Sequence, residues 1–381
     1  MNFNPSLLNK SQIKIGLIIA FFAVNVHLNA QVDTANKSQN PPTEEEDFSQ
    51  YDEVGFAEAG AKRYCSPKIE GLSPQKLIGI GYDFQAAYKM NLDTFNNNAN
   101  TGSAHEYNVK NSTGIRFNCN IPVISKTNLV WQMGANYWET GYNIQEQSIP
   151  VGYVANPVAT ELSKNGLRTM GLNTTIFKPF NETRFLLFQG SADLSGDYDL
   201  KLMPAKYLKY SAALVYGVRP SERKQWGVGL ARTYRVGELN YIPIVMFNYT
   251  DAQNKWGSEI LFPARAHVRR TINSRNMIFA GYELEGQSYR MYRNTAYRAE
   301  DLEIRRGEIR LRLVYECSLK DFIWLSVQGG YRINYRYDVD RLKNGNEIYR
   351  AFGLLSDEPY VMTNSLTNPL YFNVSINLVS P

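Results

Sequence analysis

The segment Leu77–Met90, LIGIGYDFQAAYKM, alternates between two kinds of side chain. Its even positions, from Ile78 onward, are mostly apolar or aromatic, and its odd positions, from Gly79 onward, are small or polar. Because a β-strand sends successive side chains to opposite faces, the segment predicts a long strand with one apolar face. The opposite face carries Gly79, Gly81 and Asp83, so we expect the two faces to meet different surroundings.

The same alternation recurs throughout the rest of the chain. The further predicted strands lie at residues 107–121, 129–137, 170–176, 186–194, 208–218, 226–230, 241–250, 256–262, 264–271, 277–288, 309–317, 322–337 and 369–379. Short connections alternate with long ones along most of the chain, and the long ones cover residues 91–106, 140–166, 290–308 and 338–368. An even strand number with short turns at one end and long loops at the other is typical of bacterial outer-membrane β-barrels.

The strand number depends on how residues 256–271 are divided. Pro263 cannot donate a hydrogen bond to a sheet, so we split this stretch into two strands at that residue. The split predicts an all-β fold, a transmembrane antiparallel β-barrel of about 14 strands, with residues 290–308 on the long-loop side. A barrel of about 12 strands is the alternative.

A soluble barrel would alternate as well, but with its apolar face inward. Here the apolar faces are long, and 13% of all residues are aromatic although the mean hydropathy is −0.38. Tyr107 and Phe117 lie on one predicted face at a separation that would cross roughly 25 Å of bilayer. The opposite faces combine glycines with arginines, which suits a water-filled lumen. We therefore expect the apolar face, from Ile78 to Met90 in the first strand, to contact lipid.

The N-terminus has the features of an export signal. Lys10 and Lys14 precede an apolar run at residues 15–26, and this run is too short to cross a bilayer. We expect residues 1–30 to be a signal peptide that is cleaved after Ala30, and an uncleaved membrane anchor is the alternative.

Residues 31–72 differ from the rest of the chain. They lack regular alternation, and from Asp33 to Glu53 they contain seven acids and one base. Such composition predicts an acidic, flexible periplasmic tail ahead of a barrel at residues 73–381. The role of the tail is open: it is a solvated linker, it contacts a periplasmic partner, or it is a partial plug of the basic lumen.

Few residues are suited to catalysis or metal binding. Without the predicted signal, 39 basic and 36 acidic residues leave a net charge of +3, which is too balanced to indicate nucleic-acid binding. Only His105 and His267 then remain, no Ser–His signature is recognisable, and no Cys/His spacing suggests a metal site. Cys119 and Cys317 fall on apolar faces, where we expect small apolar side chains rather than a disulfide. We expect no enzymatic activity, no cofactor, no metal and no nucleic-acid partner.

The strongest group of charges lies on the predicted lumen faces of three adjacent strands. The members, two from each strand, are Glu283 and Glu285, Arg310 and Arg312, and Arg332 and Arg336. Residues two apart point the same way, and neighbouring strands bring opposite charges into range. Two roles are open: an internal salt-bridge ladder that stiffens the wall, and a charged constriction that selects anionic solutes.

Over about residues 76–379 the chain resembles the outer-membrane β-barrels of Gram-negative bacteria. More narrowly, it is similar to an uncharacterised barrel family whose first strand follows a motif like Leu72-Ser73-Pro74-Gln75-Lys76-Leu77-Ile78, and which shares Trp256…Leu261-Phe262-Pro263. The chain departs from the common barrel pattern at Ser380-Pro381, which replace a terminal aromatic residue and put in doubt how its assembly signal is read.

The resemblance implies the cell outer membrane as location, with outer-membrane lipid and the barrel-assembly machinery as partners. We expect a channel for passive diffusion or transport of small polar solutes. The alternative is a closed structural or interaction barrel that presents residues 140–166 and 338–368 outside the cell. A lipid-modifying enzyme of the outer membrane is a less favoured third possibility.

Overall fold

The computed structural model describes residues 64–97, 100–102, 104–145, 156–198, 208–291, 301–342, 349–351 and 360–380. The predicted signal peptide and the acidic stretch from Asp33 to Glu53 lie outside these residues. The strands are β1 Lys76–Gln85, β2 Tyr88–Leu92, β3 Phe95–Asn97, β4 Asn100–Gly102, β5 His105–Lys126, β6 Leu129–Ile144, β7 Leu167–Pro179, β8 Arg184–Gly196, β9 Leu208–Ser221, β10 Lys224–Thr233, β11 Leu239–Thr250, β12 Trp256–Phe262, β13 Arg265–Asn273, β14 Asn276–Met291, β15 Asp301–Lys320, β16 Ile323–Leu342, β17 Tyr349–Ala351, β18 Tyr360–Met362, β19 Ser365–Leu366 and β20 Leu370–Val379. Among the described residues, helix α1 spans Pro157–Asn165.

Fourteen of these strands form a closed antiparallel barrel. Each strand from β5 to β16 pairs with the next, β16 pairs with β20, and β1 lies between β20 and β5. The seam between β1 and β20 runs from Lys76 opposite Val379 to Gln85 opposite Tyr371. The predicted number of 14 strands is confirmed over 12, and so is the division at Pro263, which lies between β12 and β13.

The outer surface of the wall is apolar. On β1, Ile80, Tyr82 and Phe84 are exposed while Asp83 is only 8% exposed, as the alternation predicts. The neighbouring strands expose similar side chains, among them Leu172, Leu214, Val228, Val245, Val268, Leu313, Phe372 and Ile376. A surface of this kind around a closed wall fits the hydrocarbon layer of a bilayer.

The alternation reverses where β1 gives way to β2. Ala86 and Ala87 separate the two strands, and beyond them Tyr88 and Met90 are buried while Lys89 is exposed. The expectation that the even face contacts lipid as far as Met90 is therefore wrong for its last two apolar members. They fill the barrel interior instead.

The adjacent strand β5 reverses at the same height. Its pairing with β6 shifts register between Val109 and Asn111, and the extra residue changes which parity points inward. Tyr107 is consequently buried, whereas Ile115 below the bulge is exposed. The predicted shared face of Tyr107 and Phe117 is broken by this bulge.

The reversed side chains form an apolar cluster inside the long-loop end of the barrel, called here the outer cluster. Its buried members include Tyr88, Met90, Leu92, Tyr107, Val109, Tyr142, Leu167, Tyr289, Met291, Leu302, Ile304, Tyr337, Val339 and Met362. Helix α1 completes it with Val158, Ala159 and Leu162, which share one helical face. Asn156 caps the N-terminus of the helix, because its side chain accepts a hydrogen bond from the amide of Val158. The helix lies within residues 140–166, which the sequence predicts only as a long loop.

Candidate functional site in the barrel lumen

Five of the six predicted lumen residues form salt bridges inside the lumen. On the facing strands β14 and β15, Glu283 pairs with Arg312 and Glu285 pairs with Arg310. The register places Glu283 directly opposite Arg310 and Glu285 directly opposite Glu308. Arg332 on β16 is opposite Arg310 and joins the network through acids on other strands.

The salt bridge between Arg116 and Glu285 crosses the lumen. Arg116 on β5 donates from its two terminal nitrogens to the two carboxylate oxygens of Glu285 on β14, at 2.7 and 3.2 Å. Four strands, β1, β20, β16 and β15, separate β5 from β14 around the wall. The pair therefore bridges the interior instead of following the sheet.

Asp83 of β1 accepts from the arginines on both sides of the seam. The nitrogen Nε of Arg116 donates to it at 2.6 Å, and Arg332 and Arg310 approach it to 3.4 and 3.8 Å. Asn373 donates to its other oxygen at 3.2 Å. A buried carboxylate is tolerated only when it is paired and hydrogen-bonded in this way.

Glu308 of β15 is a second acceptor centre. Arg310, Arg306 and Arg332 lie 2.6, 2.9 and 3.3 Å from its carboxylate. Arg310 and Arg332 also lie over the ring of Tyr371, at 5.5 and 5.0 Å from its centre. These contacts offset the repulsion between two arginines that sit opposite each other.

We call this network the salt-bridge layer. It contains five bases and four acids, so its formal charge is 5 − 4 = +1, and its members are Arg116, Arg306, Arg310, Arg312 and Arg332 with Asp83, Glu283, Glu285 and Glu308. Nearly every guanidinium in the layer contacts more than one partner. Such a layer fills the cross-section of the lumen with fixed, compensated charge.

Four members of the layer, Asp83, Arg116, Arg306 and Glu308, are absent from the predicted group, for identifiable reasons. Asp83 and Arg116 have the correct parity to face the lumen, but their role depends on closure of the barrel at β1 and β20. Arg306 and Glu308 fall in the predicted long loop at 290–308, whereas β15 begins at Asp301. The regular alternation of charged residues with Gly307, Ile309 and Leu311 from Arg306 to Arg312 is the signal that extends the strand.

Arg336 does not belong to the salt-bridge layer. The pairing of β15 with β16 shifts register between Gly307 and Glu308, which turns Arg336 away from the face that carries Arg332. It pairs instead with Glu238, which also binds Arg305 at 2.5 Å. Its predicted place beside Arg332 is therefore wrong, because the bulge lies between the two residues.

His267 lies at the edge of the layer. The nitrogen Nε of Arg312 donates to Nε2 of His267 at 2.9 Å, and the same arginine donates to Glu283. Receiving a hydrogen bond from a guanidinium requires a ring nitrogen without a proton. The described contacts of His267 therefore orient Arg312.

A cavity of about 940 Å³ occupies the lumen between the salt-bridge layer and the short-turn end. One side of it carries amide side chains from β5, β6, β7, β8 and β20, among them Asn118, Asn120, Gln132, Asn136, Asn173, Gln189 and Asn373. The other side carries apolar side chains from β9 to β12 and from β14, among them Val215, Ala231, Ile242, Ile244, Leu261 and Phe279. The cavity thus offers hydrogen bonds on one wall and an apolar surface on the other.

Residues 64–75, which precede β1, follow the short-turn rim of the barrel and are called here the rim segment. Cys65 packs with Phe177 and Phe185, and its amide donates to the carbonyl of Asn181. Further along, Ser73 donates to Glu259 at 3.2 Å. Where the sequence predicts a flexible tail up to residue 72, its described end is seated on the rim.

The rim segment is also held by Glu70. Arg223 and Asn254, from two different turns, donate to its carboxylate at 2.9 and 3.2 Å. These hydrogen bonds, with that of Arg223 the stronger, hold the pKa of the Glu70 carboxyl below its ordinary value. The contact is solvent-exposed.

Other kinds of site are absent from the described part of the chain. No group of three or more His, Cys, Asp or Glu side chains there is placed to hold a metal ion. The three cysteines are free thiols, and Cys65 is buried. Among the described residues no helix has the length and hydropathy needed to cross a membrane.

Comparisons by sequence return no family model and no curated protein that matches this chain. Comparison by structure returns outer-membrane β-barrels. An outer membrane channel from Pseudomonas putida F1 aligns over 81% of this chain and 97% of its own, with 11% identity and a TM-score of 0.32.

Two other barrels align to a similar extent. The outer membrane protease OmpT from Escherichia coli covers 81% of this chain and 99% of its own, with 9% identity and a TM-score of 0.28. The toluene transporter TodX from Pseudomonas putida covers 81% and 90%, with 8% identity and a TM-score of 0.28. The functions of these three proteins differ, and the similarities are too low to transfer any of them.

Proposed function

We propose that the protein is an outer-membrane channel for small polar solutes whose lumen is closed toward the long-loop end. The supporting observation is the cavity of about 940 Å³, lined by polar groups and bounded by charged side chains. Ligand chambers of this size are typical of small-molecule sites. The excess of one positive charge in the salt-bridge layer favours anions among the solutes.

The apolar outer surface of the barrel supports a location in the outer membrane. It surrounds a closed barrel of fourteen strands, and closure of that kind is what a β-structure needs in order to span a bilayer. A passage along the barrel axis would require the salt-bridge layer and the outer cluster to move. We therefore propose low spontaneous conductance and opening by rearrangement of these two layers.

A closed structural or interaction barrel is the second candidate. The outer cluster favours it, because Met90, Leu302, Ile304 and Val339 are fully buried and α1 packs among them. A dry core of this kind rigidifies the long-loop end, which would suit a protein that presents loops to a partner.

The test is conductance of the full-length protein in planar lipid bilayers. Stepwise currents with anion preference support the channel, and a folded but silent barrel supports the structural role. The double variant Arg310→Gln and Arg312→Gln changes the formal charge of the salt-bridge layer from +1 to 5 − 2 − 4 = −1. We expect the reversal potential to shift toward cation preference, and an unchanged reversal potential would exclude a constriction at this layer.

The matched control is Arg270→Gln. Arg270 belongs to β13, like His267, but lies on the outer face of the wall, where its guanidinium is 5.2 Å from the ring of Trp256. It removes one positive charge from the same region of the wall without touching the lumen. We expect it to leave the reversal potential of the wild type unchanged.

A further inference from the structure

The barrel wall has an opening above the hairpin of β12 and β13. Strand β11 pairs with β12 only from Val245 to Thr250, and β13 pairs with β14 only as far as Glu283. The hairpin ends at Pro263-Ala264, so none of the described strands continues the wall between the upper halves of β11 and β14. We call this opening the wall window.

Four structural parts border the window. Ile242–Ile244 of β11 form one side, because β17 pairs only with Leu239–Tyr241 and β12 begins to pair at Val245. Leu284 of β14, whose amide donates to the carbonyl of Ala264, forms the other side. The lower edge is the hairpin tip.

The upper edge is the loop between β10 and β11. At Gly286 an added Cβ would lie 2.5 Å from the carbonyl oxygen of Arg235 and 2.6 Å from the amide nitrogen of Gly237. The loop therefore packs against β14 just above Leu284. The opening is limited to a few residues, about 10 Å along β11 for three residues of strand.

Two prolines mark the edges of the window. Pro243 lies in the stretch of β11 that has no β12 partner, and Pro263 lies at the hairpin tip. Proline cannot donate to a sheet ladder, so it prevents another strand from pairing there. The sequence thus keeps these edges open.

The window leads into the cavity. Residues from all four borders line both, among them Val236, Ile242, Phe262, Pro263, Ala264 and Leu284. Phe262 is 53% exposed on the apolar outer surface. An apolar path therefore runs from the lipid-facing surface past the hairpin tip to the apolar wall of the cavity.

Two cations lie at the inner side of this path. Arg235 and Arg265 both line the cavity and are exposed to it, and neither forms a salt bridge with a described residue. The five arginines of the salt-bridge layer, by contrast, are all paired with acids. Arg235 and Arg265 interact electrostatically with Glu283, which is already bound by Arg312.

From this geometry we propose that the wall window admits amphipathic anions, with an apolar body and a carboxylate or a similar head group, from the membrane into the cavity. The apolar body follows the apolar wall, and the head group binds Arg235 and Arg265. The inference rests on the proposed channel function and goes beyond its small polar solutes, because it adds amphipathic anions and a lateral route. It does not require the salt-bridge layer to open.

The test is binding of 11-(dansylamino)undecanoate, a fluorescent amphipathic carboxylate, to the full-length protein in a neutral detergent. We expect saturable binding, and binding weaker by about tenfold or more for the combined variant Arg235→Gln and Arg265→Gln. The primary amide of the same probe should bind the wild type more weakly and should not distinguish the two proteins. Arg270→Gln should bind the carboxylate as the wild type does.

The route is tested separately with Ala264→Trp, which places a large side chain at the hairpin tip. In vesicles loaded with protein, probe entry from the lipid should slow at least about tenfold while equilibrium affinity changes little. Ser274→Trp, in the exposed turn at the other end of β13, is the control and should leave entry unchanged. A silent barrel in planar bilayers that still binds the probe would refute the channel but not this site.

Lack of saturable binding, or equal carboxylate affinity in the wild type and the double arginine variant, overturns the site. Equal entry rates in the wild type and Ala264→Trp overturn the lateral route. Circular dichroism and heat-modifiable migration of each variant verify that it folds, so that lost binding reports on the site. If the natural ligand is instead a resident membrane lipid, an anionic lipid should copurify with the wild type and compete with the probe.

Discussion

Arg116 and Glu285 form a bidentate salt bridge through the interior of the barrel, at 2.7 and 3.2 Å, although four strands separate β5 from β14 around the wall. The same arginine binds Asp83 next to the seam. The pair therefore ties the first part of the chain to a strand more than 150 residues later and spans the lumen at that height. The physical character of this layer and of its surroundings leads to four predictions.

The first concerns the coupling between Arg116 and Glu285. In a double-mutant cycle of Arg116→Gln and Glu285→Gln, we expect a coupling of about 1–3 kcal/mol, because both groups are partly withdrawn from water and share a network. Urea unfolding in phospholipid vesicles, followed by tryptophan fluorescence, measures it. The exposed pair Lys89–Glu106 is the control and should give less than about 1 kcal/mol. Equal coupling in the two pairs would contradict a sealed layer.

The second prediction concerns Glu308, the carboxylate bound by three arginines. Glu308→Gln keeps the shape but leaves Arg306, Arg310 and Arg332 without the charge that compensates them. We expect the free energy of unfolding to fall by about 3–5 kcal/mol. Glu106→Gln, on an exposed side chain of β5, should change it by less than about 0.5 kcal/mol. A small loss at Glu308 would mean that water enters the layer freely.

The third prediction tests the reversal of alternation between β1 and β2. Met90→Ala should lower the free energy of unfolding by about 2–5 kcal/mol, because Met90 is fully buried in the outer cluster. Lys89→Ala, its exposed neighbour, should have an effect below about 1 kcal/mol. Denaturant unfolding of both variants measures the difference. If the alternation of the first strand continued unbroken, Lys89 would be the interior residue and Met90 would contact lipid.

The fourth prediction concerns the rim segment. With Cys119→Ala and Cys317→Ala as background, Cys65 is the remaining thiol and reports whether the segment is seated. Glu70→Gln weakens the contacts with Arg223 and Asn254, so 4,4′-dithiodipyridine should react faster with Cys65. Glu182→Gln, an exposed glutamate in the neighbouring turn, is the control and should leave the rate unchanged.

The effect of Glu70 depends on pH in a defined direction. Its pKa is lowered in the folded protein, so its contribution is present above the ordinary pKa of a glutamate and is lost as pH falls through the lowered value. The ratio of the Cys65 reaction rates in Glu70→Gln and in its background should therefore approach one in acid. A ratio independent of pH would show that the carboxylate does not hold the segment.

Much of the fold follows from local pattern. Alternation, Pro263 and the parity of turns and loops predict fourteen strands, and β1 shows why this works: Ile80, Tyr82 and Phe84 meet lipid because a strand has a period of two. A wall with lipid outside and polar groups inside requires that period, so the sequence must display it. The charged residues of β14 and β15 were recognisable for the same reason.

Tertiary structure decided the features that the alternation within a single strand does not encode, namely the bulges and the contacts between distant strands. The bulges near Asn111 and between Gly307 and Glu308 change the parity of β5 and β16, which buries Tyr107 and separates Arg336 from Arg332. Closure at the seam brings Asp83 and Arg116 to Glu285, and the short hairpin at Pro263 leaves the window. The sequence by itself determined a membrane barrel with a charged interior, because each strand is patterned locally. Whether and where that interior is blocked was decided only by register and closure, which relate residues far apart in the chain.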